Sequence, residues 1–495
     1  MDKNTLLLAI DQGTTSTRAI VFNTAGEIVA STQKELPQIY PQEGWVEHDP
    51  ETIWRATLEV SKQAFEAAES KGGQVVGMGI ANQRETTILW DRRRGDPVHN
   101  AIVWQDRRTT ATCGKLRELG FEDTIQTKTG LLLDPYFSAT KLAWILDHVD
   151  GARTQANKGA LLFGTVDSFL LWRFTSGQVH ATDSTNASRT GLFNICEHQW
   201  DEELLALFQV PRACLPSVHD SAFHFGQTDP SIFGRSIPVL GIAGDQQAAA
   251  FGQCCFAEGT CKSTYGTGCF LLVNTGQTPI KSSSRLLTTI AYRLSGQTTY
   301  ALEGSIFVAG AAVQWLRDDL NIITEAAETE RLAKSIKDTG GVYLVPAFTG
   351  LGAPYWDPTA RGMLAGITRS TGRAEIARAA LEASCYQTAD LLAAMAKDGI
   401  HTVNLRVDGG MTKNDWLLQY LANILGLGID RPDVMETSAL GAAYLAGLQA
   451  GVFESLDDIV RNWRKNSHFD PKITASERRK LLSGWRTAVR RTLNR

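Results

Sequence analysis

Two strand–turn–strand patterns, one at the start of the chain and one near its middle, constrain the fold more than any other feature of the sequence. In the first, the apolar run Leu6-Leu7-Leu8-Ala9-Ile10 leads into Asp11-Gln12-Gly13-Thr14-Thr15-Ser16-Thr17-Arg18 and out through Ala19-Ile20-Val21-Phe22. In the second, Lys262-Ser263-Thr264-Tyr265 and Cys269-Phe270-Leu271-Leu272-Val273 flank Gly266-Thr267-Gly268. Short apolar and β-branched runs around a glycine read as hairpins. Turns of this composition can also hold an anion. Their backbone N–H groups and hydroxyls can surround phosphate oxygens, an arginine can neutralise them, and an aspartate can hold the water shell of Mg²⁺. A polar hairpin with a glycine at positive φ explains the first octet alone equally well, so the surrounding sequence has to decide.

Helical patterns follow each hairpin. After the first, residues 51–69 have the apolar spacing of an amphipathic helix and residues 75–80 read as a strand. After the second, Tyr300-Ala301-Leu302-Glu303-Gly304 leads into a helical pattern over residues 307–320. Leu405-Arg406-Val407-Asp408-Gly409-Gly410 leads into another over residues 415–425. Strand, glycine turn and helix in succession is how a helix N-terminus is brought to face an anionic ligand. A chain of 495 residues suits two or three domains. The repeated plan predicts two α/β domains, residues 1–252 and 253–495, joined near residues 252–260 with a cleft between them. Other nucleotide folds lose their main support. There is no G-x-x-x-x-G-K-[ST], because Leu116 follows the only Gly-Lys pair, Gly114-Lys115, and there is no G-x-G-x-x-G and no His-Arg-Asp.

Composition narrows the partners. With 43% hydrophobic and 21% charged residues the chain can build a large core. A net charge of −4 gives no reason to expect nucleic acid, and the basic set Arg478, Arg479, Lys480, Arg486, Arg490, Arg491 and Arg495 reads as a solvated helix face. No apolar stretch approaches the ~20 residues of a membrane span. The first apolar run stops at Asp11 without a basic leader, so a cytoplasmic location is expected. Cys254 and Cys255 are adjacent, and Cys261 and Cys269 fall on strand-like runs. That spacing suits buried thiols better than a zinc site.

With Asp11-Gln12-Gly13-Thr14, Gly244-Asp245-Gln246-Gln247, Gly266-Thr267-Gly268 and Asp408-Gly409-Gly410 in this order, the chain resembles the carbohydrate kinases of the FGGY family. Two longer patterns agree: Tyr136-Phe137-Ser138-Ala139-Thr140-Lys141-Leu142-Ala143-Trp144-Ile145-Leu146-Asp147-His148, and Gly362-Met363-Leu364-Ala365-Gly366-Ile367 continuing to Ala379-Ala380-Leu381-Glu382. The similarity runs from about residue 5 to about residue 490. It implies the two-domain, ribonuclease H-like α/β ATPase fold of actin, Hsp70 and hexokinase. Four further segments are similar to the family members that phosphorylate glycerol rather than to the pentulose kinases. They are Asn82-Gln83-Arg84-Glu85-Thr86-Thr87, Trp104-Gln105, Gly44-Trp45-Val46-Glu47-His48-Asp49-Pro50, and Phe348-Thr349-Gly350-Leu351-Gly352-Ala353-Pro354-Tyr355-Trp356-Asp357-Pro358.

The resemblance assigns roles residue by residue. Arg84, Glu85, Tyr136, Asp245 and Gln246 would meet the hydroxyls of glycerol, with Trp104 and Phe270 against its carbons. Asp245 would be the general base, and Asp11 would hold Mg²⁺ through water opposite Asp245. Thr14, Thr15, Ser16 and Arg18 would handle the phosphates of ATP or ADP, and Thr267, Gly310, Gln314, Gly410 and Asn414 would contact the rest of the nucleotide. Arg84 and Glu85 are expected to be each other's nearest opposite charge. The product would be sn-glycerol 3-phosphate, and the assembly a homodimer or homotetramer. Two rivals remain: a kinase for another polyol or sugar, and a nucleotide-driven scaffold of the actin and Hsp70 type.

Regulation should differ from that of better-known relatives. Some enterobacterial members bind fructose 1,6-bisphosphate on a glycine-rich loop ending in arginine, whereas Asp229-Pro230-Ser231-Ile232-Phe233-Gly234-Arg235 keeps the arginine without the glycine cluster. Ser231 stands where Gram-positive relatives carry a phosphorylated histidine. Lys472 and Thr474 replace a glycine and a glutamate in a segment similar to a phosphocarrier docking site. All three controls are expected to be weak or absent.

Overall fold

The computed structural model describes residues 4–357 and 359–493, so Pro358 and Arg495 of the segments above lie outside the described residues. Thr5–Gln12 (β1), Ser16–Asn23 (β2) and Ile28–Glu35 (β3) form an antiparallel meander. Pro50–Glu69 (α1) then crosses over to Gln74–Asn82 (β4), which pairs parallel to β1. The helix starts where the sequence allows: the Asp49 side chain accepts from the N–H groups of Glu51 and Thr52, and Pro50 takes the first helical position. Ala222–Gln227 (β5) and Pro238–Gly244 (β6) complete a sheet of order β5-β6-β4-β1-β2-β3. The long intervening stretch carries the helices Ser138–His148 (α2), Val166–Phe174 (α3) and Ser184–Ala187 (α4).

Asp245–Gly252 (α5) leads into the second sheet, whose strands are Cys261–Tyr265 (β7), Cys269–Gly276 (β8), Leu287–Leu294 (β9), Gln297–Ile306 (β10), Asn404–Asp408 (β11), Gly428–Pro432 (β12) and Lys465–Phe469 (β13). Their order is β9-β10-β8-β7-β11-β12-β13. An antiparallel meander passes at β7 into parallel pairing with β11 and β12, the plan already seen at β1 and β4. Gly310–Asp318 (α6), Arg373–Lys397 (α7) and Asp415–Leu425 (α8) pack on this half, and Thr437–Gln449 (α9) and Ala475–Thr492 (α10) follow.

Each half has its own apolar cluster, and a third lies between them. It brings Leu7 and Ala9 of β1 and Phe22 of β2 against Phe251 of α5, Leu272 of β8, and Ala442 and Leu445 of α9. Although α9 comes late in the chain, it lies on β4, β6 and β1 and crosses α5 closely. A Cβ on Gly441 would run into the carbonyl of Ala248, and one on Gly79 into that of Ala442. Glycine at both positions permits the approach.

Three local expectations change. The octet 11–18 is not all turn: Asp11 and Gln12 finish β1, and Ser16, Thr17 and Arg18 begin β2, leaving Gly13-Thr14-Thr15 to reverse the chain. Gly304 is not a turn glycine either. It lies inside β10, where a Cβ would press on Leu391, and the helix expected at residue 307 starts at Gly310. Ser231 sits in the short helix Pro230–Phe233 rather than in an open loop. The basic residues from Arg478 to Arg491 lie on α10, with Arg479, Lys480, Arg486, Arg490 and Arg491 exposed. Cys254, Cys255, Cys261 and Cys269 are buried thiols. Among the described residues, no helix is long and apolar enough to cross a membrane.

Candidate active site

The ends of β1, β4 and β6 converge, and each delivers one functional side chain: Asp11, Arg84 just after β4, and Asp245 just after β6. Beneath them lies a buried polar network. Asp183 accepts from the backbone N–H groups of Thr185 and Asn186, Thr185 Oγ1 accepts from Gly244 N at 2.9 Å, and Asn186 exchanges amide hydrogen bonds with Asn82. Asp167 accepts from Thr165 and Thr182 at 2.5 and 2.6 Å, and burial pushes it up to about 7. Asn82, two residues before Arg84, and Gly244, immediately before Asp245, are thus fixed from below.

Arg84 is 3% exposed and central. Its Nε lies 3.3 Å from Asp245 Oδ1, one terminal nitrogen donates to Gln247 Oε1 at 3.2 Å, and the other donates to the Tyr136 hydroxyl at 3.3 Å. Both terminal nitrogens also donate to Glu303, at 2.5 and 3.2 Å. Glu85 turns away at φ +62°, a left-handed conformation that non-glycine residues adopt at a cost and that concentrates at functional sites. Its nearest opposite charge is therefore not Arg84, 3.9 Å away, but Arg189, whose Nε donates to Glu85 Oε1 at 2.6 Å. The expected Arg84–Glu85 pair is corrected to two crossed pairs, because the turn at Glu85 swings its carboxylate to the other side. Burial pushes Glu85 up despite Arg189, whereas Arg189 and Arg84 outweigh burial at Glu303 and hold it at about 2.

The apolar wall is made of three rings. Trp104 stands edge-on to Tyr136 at 5.6 Å and to Phe270 at 6.0 Å, and its Nε1 donates to Thr14 Oγ1 at 2.9 Å. The first hairpin and the aromatic wall are therefore in contact. Asp245 opens α5, its Oδ1 accepting from Gln246 N at 2.7 Å. The Gln246 amide donates to Asp245 Oδ2 at 3.2 Å and accepts from the buried Lys262 at 2.5 Å.

At the hairpin, Gly13 N donates to Ser16 O at 2.9 Å. Arg18 reaches across to the second half, donating to Glu436 at 2.9 Å, and lies 4.0 Å from Asp11. Asp11 is pushed up to about 7, chiefly by burial; Arg18 opposes this, while Asp245 and Glu436 add to it.

On the second half, Thr267, Gly310, Gln314, Gly410 and Asn414 all line one cavity of about 400 Å³, with Val313, Leu381 and Met411 supplying apolar surface. The β7–β8 turn and the start of α6 are joined backbone to backbone, Gly310 N donating to Gly266 O at 3.0 Å. Gly409 is at φ +91°, and a Cβ there would meet Tyr265 O at 2.5 Å, so the turn into the cavity requires glycine.

Comparisons with known proteins fit this two-part arrangement. Models of the N-terminal and C-terminal domains of the FGGY family of carbohydrate kinases match residues 6–252 and 261–450. The chain belongs to the FGGY family of carbohydrate kinases. Among its curated relatives in this family, a glycerol kinase of Rhodospirillum centenum is 65% identical over 492 residues, covering 99% of both chains. A glycerol kinase of Allorhizobium ampelinum is 60% identical over 490 residues, covering 98% of this chain and 99% of the relative. The crystal structure of Plasmodium falciparum glycerol kinase with ADP superposes at a TM-score of 0.93 with 36% identity, covering 99% of this chain and 98% of that one.

Sequence reasoning missed Arg189, Glu303, Lys262 and Glu436, all of which enter the site. One signal was available. Glu303 and Lys262 are charges set in runs that read as buried strands, and an ionised side chain survives there only when paired. Arg189 and Glu436 carry no comparable mark.

Proposed function

We propose that this FGGY kinase transfers the terminal phosphoryl group of ATP to glycerol, releasing sn-glycerol 3-phosphate and ADP, in the cytoplasm and as a homo-oligomer. The observation that carries this reading is the full-length likeness, at 65% identity, to a glycerol kinase, in a chain whose candidate polyol residues stand together. Arg84, Glu85, Tyr136, Asp245 and Gln246 offer donors and acceptors to the hydroxyls, and Trp104 and Phe270 give the carbon spine an apolar face. Asp245 is the proposed general base, taking the proton of the attacking hydroxyl. Phosphoryl transfer asks for positioning and charge neutralisation more than covalent chemistry. We assign the phosphates to Thr14, Thr15, Ser16 and Arg18, and the rest of the nucleotide to the cavity around Thr267, Gly310, Gln314, Gly410 and Asn414. Residues 1–252 and 253–495 would then act as two jaws whose closure keeps out water, the competing acceptor.

The donor set suits Mg²⁺. Among the described residues no three His, Cys, Asp or Glu side chains are grouped to enclose a metal. Asp11 and Asp245 are near enough for one charge to raise the other's pKa. Two facing carboxylates fit a cation that keeps most of its waters and binds substrate phosphates as well. Bound there, it would supply charge neutralisation at the phosphates.

The test is turnover of the purified chain with ATP and Mg²⁺ against glycerol, xylulose, ribulose and gluconate, read as ADP release. Clear preference for glycerol is expected, and faster turnover of a pentulose would overturn the substrate assignment.

A further inference from the structure

One buried side chain outside the proposed polyol set touches or links three of its residues. Arg189 lies just after α4, is fully buried, and presents its guanidinium in four directions. Nε donates to Glu85 Oε1 at 2.6 Å, and a terminal nitrogen donates to Glu303 Oε1 at 2.9 Å. Its central carbon lies 5.6 Å from the centre of the Tyr136 ring and 5.4 Å from that of Phe137. Glu303, on β10 of the second half, uses both its oxygens on Arg84 as well. The result is a continuous chain: Glu85 to Arg189, Arg189 to Glu303, Glu303 to Arg84, and Arg84 to the Tyr136 hydroxyl.

We propose that Arg189 is the positioning residue of the polyol site, setting the Glu85 carboxylate directly and the Arg84 guanidinium through Glu303. The proposal rests on the glycerol reading above. Three features of the geometry give Arg189 this part. Glu85 sits on a left-handed backbone in the turn after β4, and its carboxylate is held by a partner outside that turn. That partner is Arg189. Next, Arg84 and Glu85 are neighbours in sequence whose own ion pair spans 3.9 Å, whereas Arg189 with Glu303 joins them through contacts of 2.5, 2.6 and 2.9 Å. Finally, Glu303 belongs to the half that carries the nucleotide cavity, so the link is made only when the two halves are docked. A lysine could not replace Arg189, since its single ammonium lacks the planar fork that serves two carboxylates at once while stacking on a ring.

Arg189→Lys separates positioning from bulk stability. It keeps the charge and most of the volume but loses the fork. Expected are a rise in the glycerol KM of about 10-fold or more, the scale of one lost charge-assisted hydrogen bond, and an ATP KM within about twofold of wild type. Preference in kcat/KM for glycerol over 1,2-propanediol should also fall, because only the fully hydroxylated substrate uses the whole set of positioned groups. A purely structural role would instead shift both KM values together and leave that preference unchanged, and this result would overturn the proposal. If Arg189→Lys does not fold, Glu303→Asp keeps every charge and shortens only the reach of the shared carboxylate. The same selective rise in glycerol KM is expected, and unaltered glycerol kinetics would refute the link. The wild-type chain is assayed first. No glycerol-dependent ADP release there refutes the functional reading and this inference with it, whereas wild-type turnover with unchanged glycerol KM in the variants refutes the inference alone.

Discussion

Removing the Arg84 guanidinium should divide stability from activity. Arg84 gives both terminal nitrogens to the buried Glu303 at 2.5 and 3.2 Å and places Nε 3.3 Å from Asp245. In Arg84→Ala, Glu303 keeps only Arg189, and two carboxylates then share one guanidinium. Breaking a buried ion pair by deleting one partner costs ~3–5 kcal/mol. The lower end, about 3 kcal/mol, is expected because Arg189 remains. Adding Glu303→Gln removes the orphaned charge, leaves Arg189 and Glu85 as a neutral pair, and should restore about 1–2 kcal/mol. Turnover should not follow stability. Without the guanidinium, kcat/KM for glycerol should stay down about 100-fold or more in both variants, equivalent to ~2.7 kcal/mol of transition-state binding. Urea unfolding midpoints and initial-rate kinetics on the same preparations measure the two quantities. An Arg84→Ala variant as stable as wild type, or a double variant that regains glycerol kcat/KM, would refute the reasoning.

Asp245→Asn should fold normally, since its side chain is partly exposed at the start of a helix, and lose about 10²–10⁴ in kcat, the usual contribution of a positioned base; near wild-type kcat would rule that role out. Gly410→Ala projects a methyl into open space in the cavity, with no atom within 4 Å, so the ATP KM should rise while the unfolding midpoint and glycerol KM stay put, and equal effects on all three would count against the cavity as the nucleotide site. Burial holds Asp167 at about 7 against an ordinary 3.8, so its contribution to stability is present below about pH 4 and lost as pH rises through about 7. Asp167→Asn should flatten that decline by up to ~4 kcal/mol, read from unfolding midpoints across the range, and parallel pH profiles for the two proteins would show the premise to be wrong. Arg235 is already committed to Glu69 at 2.6 Å and to the Val75 carbonyl at 2.7 Å, so fructose 1,6-bisphosphate should inhibit weakly or not at all; strong inhibition abolished by Arg235→Ala would overturn that expectation.

Much of the site could be read from the sequence because it is built at strand ends, where glycine turns and isolated polar residues break the apolar pattern. Asp11, Arg84 and Asp245 each follow such a run, and of the five cavity residues Gly310, Gly410 and Asn414 sit at helix starts, Thr267 in a glycine turn between two strands, and Gln314 in the second turn of its helix. What could not be read depends on distant pairing. The partner of Glu85 is a residue 104 positions away, and the partner of Arg84 is 219 away on the other sheet. The backbone reversal at Glu85 that decides which arginine it meets has no signature in Asn82-Gln83-Arg84-Glu85-Thr86-Thr87, since nothing there is a glycine. Strand limits were also misjudged around Asp11 and Arg18, where polar residues continue a ladder that propensity would end.

The late helix on the early sheet bears on how the chain is made. Ten residues of Thr437–Gln449 are buried, several against strands synthesised hundreds of residues earlier, so the first sheet has one face uncovered until almost all of the chain has left the ribosome. During that interval Leu7, Ala9 and Leu240 have no permanent cover, and a nascent chain in this state is open to aggregation or chaperone capture. A fragment ending at Gly252 would remain in that state indefinitely, although it contains the whole of the first sheet.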